Sequence, residues 1–132
     1  MIRVLIRNNR GLATIEMAFA LPILLLFIYG IFQVGMIMAA SAGMQHALGE
    51  GARYATLYPI PTDPQIKQRV LDNLFGDYIG GGKNFHVEDI ATDSTGNSFK
   101  IISVHYTVTP EFLFFTAPPV TLDRSKKIYL SF

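Results

Sequence analysis

The most uneven feature of the sequence is a long stretch without charged side chains. No Asp, Glu, Lys or Arg occurs between Met17 and His46, whereas the remaining segments resemble an ordinary soluble polypeptide. A helix that crosses a hydrocarbon core of about 30 Å needs about 20 predominantly apolar residues, and this stretch is longer. The pattern therefore predicts a membrane-spanning helix whose surplus tilts or continues beyond the bilayer. A buried core helix would need a surrounding globule that 132 residues do not supply.

The flanks of this stretch predict its orientation. Arg3, Arg7 and Arg10 precede it, with no acidic residue among the first eleven, and the first basic residue after it is Arg53. Because cytoplasmic flanks of membrane helices carry an excess of Lys and Arg, we expect the N-terminal flank in the cytoplasm. Everything from about Ala42 onward is then expected on the other side.

A cleaved secretory signal is the main alternative interpretation of this segment. Residues 40–42 satisfy the small-x-small cleavage pattern, and the preceding flank is basic. However, the apolar core of such a signal is only about 7–15 residues long. Pro22 also lies early in the stretch, where it would kink or break the helix. The membrane helix is therefore the favoured interpretation.

The helix is predicted to continue past the apolar stretch to about Leu57, because Pro59 and Pro61 would end it. A helix over residues 12–57 would measure roughly 69 Å at 1.5 Å per residue. That length exceeds one membrane crossing. We therefore expect the upper part to form a stalk that packs against the rest of the chain.

Small residues recur along this helix at Gly30, Gly35, Ala39 and Gly43, and the last three share one helical face. In lipid, such faces allow helix backbones to approach closely, which makes these positions candidates for packing between subunits. The alternative is that small residues are simply frequent in membrane helices. The pattern leaves both interpretations open.

A short second helix is predicted after the two prolines. Thr62 and Gln65 match a capping box, with Asp63 as the competing N-cap, and Gly76 is a natural C-terminal stop. An apolar stripe along this helix gives it one face to bury. It consists of Ile66, Val70, Leu71 and Leu74.

Alternation of apolar and polar residues predicts strands over 84–91, 99–109 and 127–132. One face of the middle strand is apolar and consists of Ile102, Val104, Tyr106 and Val108. The predicted fold class is α+β: a long N-terminal transmembrane helix continues as a stalk packed on a small antiparallel sheet with one short helix. A head of this size is expected to need the stalk helix for its stability.

The loop over residues 111–120 contains four large apolar residues in a row, 112–115. The favoured interpretation is a loop that folds back over the sheet. The alternative is an exposed patch that docks to a neighbouring subunit.

Composition argues against several kinds of chemistry. There is no Cys, which excludes disulfides, thiolate metal sites and Cys nucleophiles, and the net charge of +1 gives no electrostatic case for nucleic acid. His46, His86 and His105 are widely separated, and the glycines before Lys83 lack the other residues of a phosphate loop. We therefore expect no metal site, no cofactor and no enzymatic activity.

Glu16 is the residue that a plain membrane anchor does not explain, because burying a carboxylate in lipid is unfavourable. The simplest account is that it sits hydrated at headgroup depth. A functional account starts from Gly11, which follows a basic residue. Cleavage after Gly11 would give Leu12 a free α-amine, cationic near neutral pH. Glu16 of an adjoining copy could neutralise that amine and set the register of packed helices.

A basic leader that ends in Gly, followed by an apolar helix with Glu at its fifth position, resembles the processing signal of type IV pilin-like proteins. Residues 10–35 and the segment EGARYATLYP at residues 50–59 further resemble the TadE-like family, the pseudopilins of tight-adherence (Flp) pilus systems. Residues 103–110 are similar to that family's strand followed by proline.

The resemblance implies a minor pilin-like component required for pilus assembly and a pilin-like fold. It implies a basic leader over residues 1–11 that is cleaved, a transmembrane and stalk helix over 12–58, and an exported head over 59–132. The implied partners are other pilins or pseudopilins, a prepilin peptidase, an inner-membrane assembly platform and the bilayer. The implied location is the bacterial inner membrane, with the head in the periplasm. The alternative is a non-assembling, single-pass periplasmic accessory or binding module.

Overall fold

The computed structural model of the protein describes residues 11–78, 83–92, 99–112 and 115–129. Some predictions concern positions outside these described residues: the leader over residues 1–10, the glycines at 80–82, the turn at 93–97, Phe114 and the strand end at 130–132. Within the described residues the chain forms two helices and one antiparallel sheet. The predicted α+β class is therefore confirmed.

The first helix, α1 (Leu12–Ala55), is 44 residues long and continues without a break through Pro22. At about 1.5 Å per residue it measures roughly 66 Å. It ends two residues before the predicted Leu57, and the Thr56 hydroxyl caps it by donating to the Arg53 carbonyl at 2.9 Å. Pro22 does not break the helix; its ring nitrogen only removes one backbone donor.

The second helix, α2 (Asp63–Asp72), starts with the predicted capping box. The Thr62 backbone N–H donates to Gln65 Oε1 at 2.9 Å, so Thr62 rather than Asp63 is the N-cap. Ile66 and Val70 are buried. Leu71, in contrast, is largely exposed, and Leu74 lies beyond the helix.

The prediction that Gly76 stops α2 was wrong, because the helix already ends at Asp72 with Asn73 as its C-cap. Gly76 has a different task. Its φ is +95°, and a Cβ there would lie 2.5 Å from the carbonyl carbon of Ala39. The chain can therefore cross α1 in close contact only because this residue is glycine.

The sheet is built on β3 (Phe99–Val108), which pairs with all three other strands. Along one edge lie β1 (Phe85–Val87) and β2 (Ala91–Thr92), and along the other lies β4 (Val120–Tyr129). The predicted apolar face of β3 is confirmed as buried at Ile102, Val104, Tyr106 and Val108. The strand ends one residue before the predicted position.

Two of the predicted strands differ from the structure. The single strand expected over 84–91 is split, because the register shifts by one residue between Val87 opposite Val104 and Ala91 opposite Ile101. The chain between β1 and β2 thus contains one residue more than the stretch of β3 opposite it, which is a β-bulge. The last strand starts at Val120 rather than at residue 127. Most residues of this edge strand are exposed, and many of them are polar or charged. The strand therefore lacks the alternation of apolar and polar residues by which a strand is predicted.

The hydrophobic core lies between the sheet, α2 and only part of α1. We call residues 12–32 of α1 the lower segment and residues 33–55 the upper segment. The upper segment supplies six of the fifteen buried core residues, which pack beside Ile66, Val70 and the buried face of β3; its members are Ala40, Met44, Ala47, Leu48, Ala52 and Ala55. The head domain is therefore assembled on the upper segment, as its small size requires.

Candidate functional site

The lower segment of α1 is an apolar surface that the rest of the described chain leaves uncovered. Every residue from Gly11 to Leu25 is exposed. The large apolar side chains point in all directions around the helix; they include Ile15, Phe19, Leu21, Ile23, Leu24 and Phe27. A helix that is hydrophobic all round belongs in a protein core or in a membrane. By length and composition, α1 is able to cross a membrane.

The predicted processing site lies at the start of this surface. Gly11 is the N-cap of α1, and among the described residues no more distant part of the chain lies within 4 Å of the position that its Cβ would take. Leu12, the first helical residue, is 66% exposed. Both sides of the predicted scissile bond are therefore accessible in the described structure.

Glu16 projects from this apolar surface one turn after Leu12. It is exposed, and its sequence neighbours Ile15 and Met17 are exposed apolar residues. Within the described residues no side chain forms a salt bridge or hydrogen bond with it. Among the described residues, no Lys, Arg or His side chain of the same chain therefore neutralises the Glu16 carboxylate.

The four predicted packing residues lie in different environments. Gly43 is buried under the chain's own segment after α2, where a Cβ would lie 1.9 Å from the Phe75 carbonyl oxygen. The Ala39 backbone contacts Gly76, and a Cβ on Gly30 would lie 3.7 Å from the Phe112 ring, at ordinary contact distance. Only Gly35 faces open space. Packing between subunits at these positions stays a prediction, and of the four only Gly35 is uncovered.

The segment EGARYA at residues 50–55 docks α2, a role that the sequence analysis did not assign. A Cβ on Gly51 would lie 2.3 Å from Val70 Cγ2, so α1 and α2 touch closely at this point. Glu50 Oε2 lies 3.0 Å from Arg53 Nη2 and 3.9 Å from Arg69 Nη2. The hydrogen bond from Arg53 lowers the pKa of the Glu50 carboxyl. The Arg69 guanidinium also lies 6.0 Å from the centre of the Tyr54 ring.

A second contact joins the upper and lower segments to the loop after β3. Gln33 is only 4% exposed, and its Nε2 donates to the Glu111 backbone carbonyl and to the Tyr29 hydroxyl oxygen, each at 3.0 Å. Phe112 packs edge-on against Tyr29. The described part of this loop therefore lies against α1, whereas the favoured sequence interpretation placed it over the sheet.

The outer face of the sheet carries a histidine between two carboxylates. His105 Nδ1 is hydrogen-bonded to Asp123, and its Nε2 lies 3.0 Å from Glu88 Oε1 without hydrogen-bond alignment. The bond to Asp123 raises the pKa of the His105 imidazole, against an opposing effect of desolvation. Among the described residues no group of three or more His, Asp or Glu side chains is arranged to hold a metal ion.

The arrangement defines a class of protein: a small α+β head fixed to the upper part of one long helix, whose lower part is apolar enough to cross a membrane. Residues 11–53 match the family model described as TadE-like protein, which confirms the family resemblance seen in the sequence. The match covers α1 almost to its end and suggests a protein associated with a Tad pilus system. Comparisons with curated proteins and with solved structures gave no match.

Proposed function

We propose that this protein is a minor pilin-like (pseudopilin) subunit required for tight-adherence pilus assembly. In this proposal α1 holds the subunit in the inner membrane before it is incorporated. The supporting observation is that a carboxylate without a described partner, Glu16, stands on a helix surface that is otherwise apolar and uncovered. The match of residues 11–53 to the TadE-like family supports the same system. The role is structural, and we assign no catalytic residue.

The proposed topology has the N-terminus in the cytoplasm and the head in the periplasm. The excess of Arg before the apolar stretch supports this orientation, because Arg3, Arg7 and Arg10 all precede it. A prepilin peptidase would then cut between Gly11 and Leu12, which are both accessible. The proposed partners are other pilins or pseudopilins, this peptidase and an inner-membrane assembly platform.

The proposed interaction between subunits is a charge pair within the bilayer. The new α-amine of Leu12 in one copy would be balanced by Glu16 of its neighbour. Each charge alone is unfavourable in lipid, at a few kcal/mol near the bilayer centre and less toward the interface. Pairing removes part of that penalty only at one axial offset, so it would select the register of the packed helices.

The substitution Glu16→Gln tests this function, with Glu50→Gln as the matched control on the same helix. Glu50 lies in the upper segment of α1, where it is paired with Arg53. We expect Glu16→Gln to abolish incorporation into sheared pilus fractions at an unchanged membrane level, whereas Glu50→Gln assembles. Mass spectrometry of the native protein should show the loss of residues 1–11. Normal assembly of Glu16→Gln, together with an intact leader, would contradict the proposal.

The second candidate is a single-pass periplasmic accessory module that does not assemble. It is favoured by the covering of Ala39 and Gly43 by the chain's own head, which leaves little of the predicted packing face for neighbours. This candidate predicts that Glu16→Gln has no effect on pilus formation. The same experiment therefore separates the two functions.

A further inference from the structure

Five aromatic side chains lie around α1 between residues 29 and 39, at the top of the lower segment and just above it. We call them the aromatic junction: Tyr29, Phe32, Tyr78, Phe112 and Phe115. The Phe112 ring lies 6.1 Å from that of Tyr29 and stacks on Phe115 at 4.7 Å. Tyr78 joins Phe32 around the groove at Gly35. The loop after β3 and the segment after α2 thus bring aromatic rings to neighbouring turns of α1.

Gln33, which is hydrogen-bonded to the Glu111 backbone, fixes the position along α1 of the loop that carries Phe112 and Phe115. Tyr29 and Gln33 are 17 and 21 residues after Leu12, or about 26 and 32 Å along the axis. The hydrocarbon core of a bilayer is about 30 Å thick. If Leu12 starts the crossing, the aromatic junction lies at the opposite boundary of the hydrocarbon.

The outer rings of the aromatic junction are uncovered by the described chain. Phe115 is 58% exposed and Tyr78 is 72% exposed, and Phe32 is also exposed. They are continuous with the exposed apolar surface that begins at Leu12. Polar groups stand among them, namely the Tyr29 and Tyr78 hydroxyls and the Gln33 amide. Rings with an apolar body beside polar groups favour the boundary between lipid and water.

We propose that the aromatic junction binds the bilayer surface on the exported side, so that the head rests on the membrane before assembly. The occupant of this surface is lipid at the headgroup boundary. The inference rests on the proposed function, because it requires α1 to cross the bilayer. It adds that the head has a fixed height and contacts the membrane through Phe115, in the described part of the loop after β3.

The test uses the full chain in vesicles of phosphatidylethanolamine and phosphatidylglycerol. The sequence contains no Cys, so each single-cysteine variant has one thiol that can be labelled with an environment-sensitive fluorophore. The two test variants are Phe115→Cys and Tyr78→Cys. Tyr129→Cys is the matched control, an aromatic residue 69% exposed at the opposite end of the β3–β4 pair. Leu24→Cys reports insertion of α1 itself. Lipids with nitroxides at the headgroup, the upper acyl chain or the deep acyl chain serve as quenchers, and circular dichroism checks folding.

We expect the probes at 115 and 78 to lose most of their fluorescence with headgroup or upper-chain nitroxides, and the probe at 129 to be unaffected. The probe at 24 should respond to the deep nitroxide. Unquenched probes at 115 and 78 beside a quenched probe at 24 would overturn the inference and leave the membrane insertion intact. Burial of the probe at 115 that depends on protein concentration instead of lipid nitroxide would assign the surface to a second copy and also overturn it. An unquenched probe at 24 would reject membrane insertion itself.

Discussion

The two segments of α1 are both largely apolar, yet they differ in the size of the side chains that meet other atoms. The upper segment buries Ala40, Gly43, Ala47, Gly51 and Ala52 against the head. The lower segment leaves its large leucine, isoleucine and phenylalanine side chains uncovered. The closest backbone approaches to the head fall at small residues of the upper segment, whereas the large side chains of the lower segment mostly meet no other described element. Hydropathy alone therefore does not locate the boundary between the lower segment and the head; that boundary follows from which residues the head covers.

The comparison also separates two uses of glycine on one helix. Gly43 and Gly51 are required by close contacts with Phe75 and Val70. Gly35 and Gly49 meet nothing within 4 Å. Glycine lowers the stability of a helix by about 1 kcal/mol relative to Ala. Because no close contact requires glycine at position 35, its presence there needs a different explanation. Packing in lipid between helices is one such reason.

The largest expected difference in the stability of the head is between truncating a large apolar side chain in the upper segment and truncating one in the lower segment. Met44→Ala should destabilise the head by about 2–5 kcal/mol, because Met44 is fully buried in the core and its removal leaves a cavity. Leu24→Ala, its control in the lower segment, should leave head stability unchanged. Chemical denaturation of the head in detergent, followed by near-ultraviolet circular dichroism, measures both. Equal losses in the two variants would erase the distinction between the segments.

A smaller effect is expected from the same change at two glycines on one helical face. In Gly43→Ala the new methyl group would meet the Phe75 carbonyl oxygen, so the chain must shift at a cost of about 1–3 kcal/mol. Gly35→Ala has open space and should preserve or raise the stability of the head. Thermal unfolding in detergent reports these differences. If Gly35→Ala nevertheless impairs pilus assembly, Gly35 is part of an interface between subunits.

Gln33 marks the boundary between the segments and gives a third, still smaller effect. Gln33→Leu removes the amide that donates to the Glu111 carbonyl and should cost about 0.5–1.5 kcal/mol, because a partly buried hydrogen bond is lost. Protease cleavage within residues 109–119 should become faster. The substitution Gln45→Leu, on an exposed position of the upper segment, serves as the control. Unchanged cleavage in Gln33→Leu would show that the loop is held by its aromatic rings alone.

The smallest effect concerns pH and the outer face of the head, away from both segments. The pKa of His105 is raised in the folded state from an ordinary value of 6.5, chiefly by Asp123. Its protonated form therefore stabilises the head fully below about pH 6.5, and that contribution is lost as the pH rises through the folded-state pKa. The melting temperature should fall across this range in the natural protein. In Asp123→Asn this fall should be reduced, and an identical pH profile would contradict the assignment.

Much of the fold could be predicted from local patterns. The start of α1, the capping box at Thr62 and the buried face of β3 each depend on residues close together in the sequence. The role of Gly76 could not be predicted, because it depends on the distant backbone of Ala39. The early start of β4 was hidden because its pairing with β3 uses backbone groups, whereas its exposed side chains are mostly polar.

The candidate site shows the same limit. Glu16 and Gly11 stand out in the sequence because a charge within an apolar stretch and a basic-Gly junction are local signals. The use of Ala39 and Gly43 could not be decided in this way, because close approach requires a small residue whether the neighbour is another subunit or the chain's own head. The docking role of residues 50–55 has a weak signal in its spacing of Gly51, Ala52 and Ala55.

The unbroken course of α1 has a mechanical consequence. Since the helix runs through the lower segment directly into the head core, no flexible linker separates the part suited to lipid from the folded domain. An axial force on this helix would displace the domain by the same distance and in the same orientation. Under the proposed function, extraction from the bilayer and delivery of the domain would be a single rigid movement, with Pro22, where one backbone hydrogen bond is missing, as the weakest point in bending.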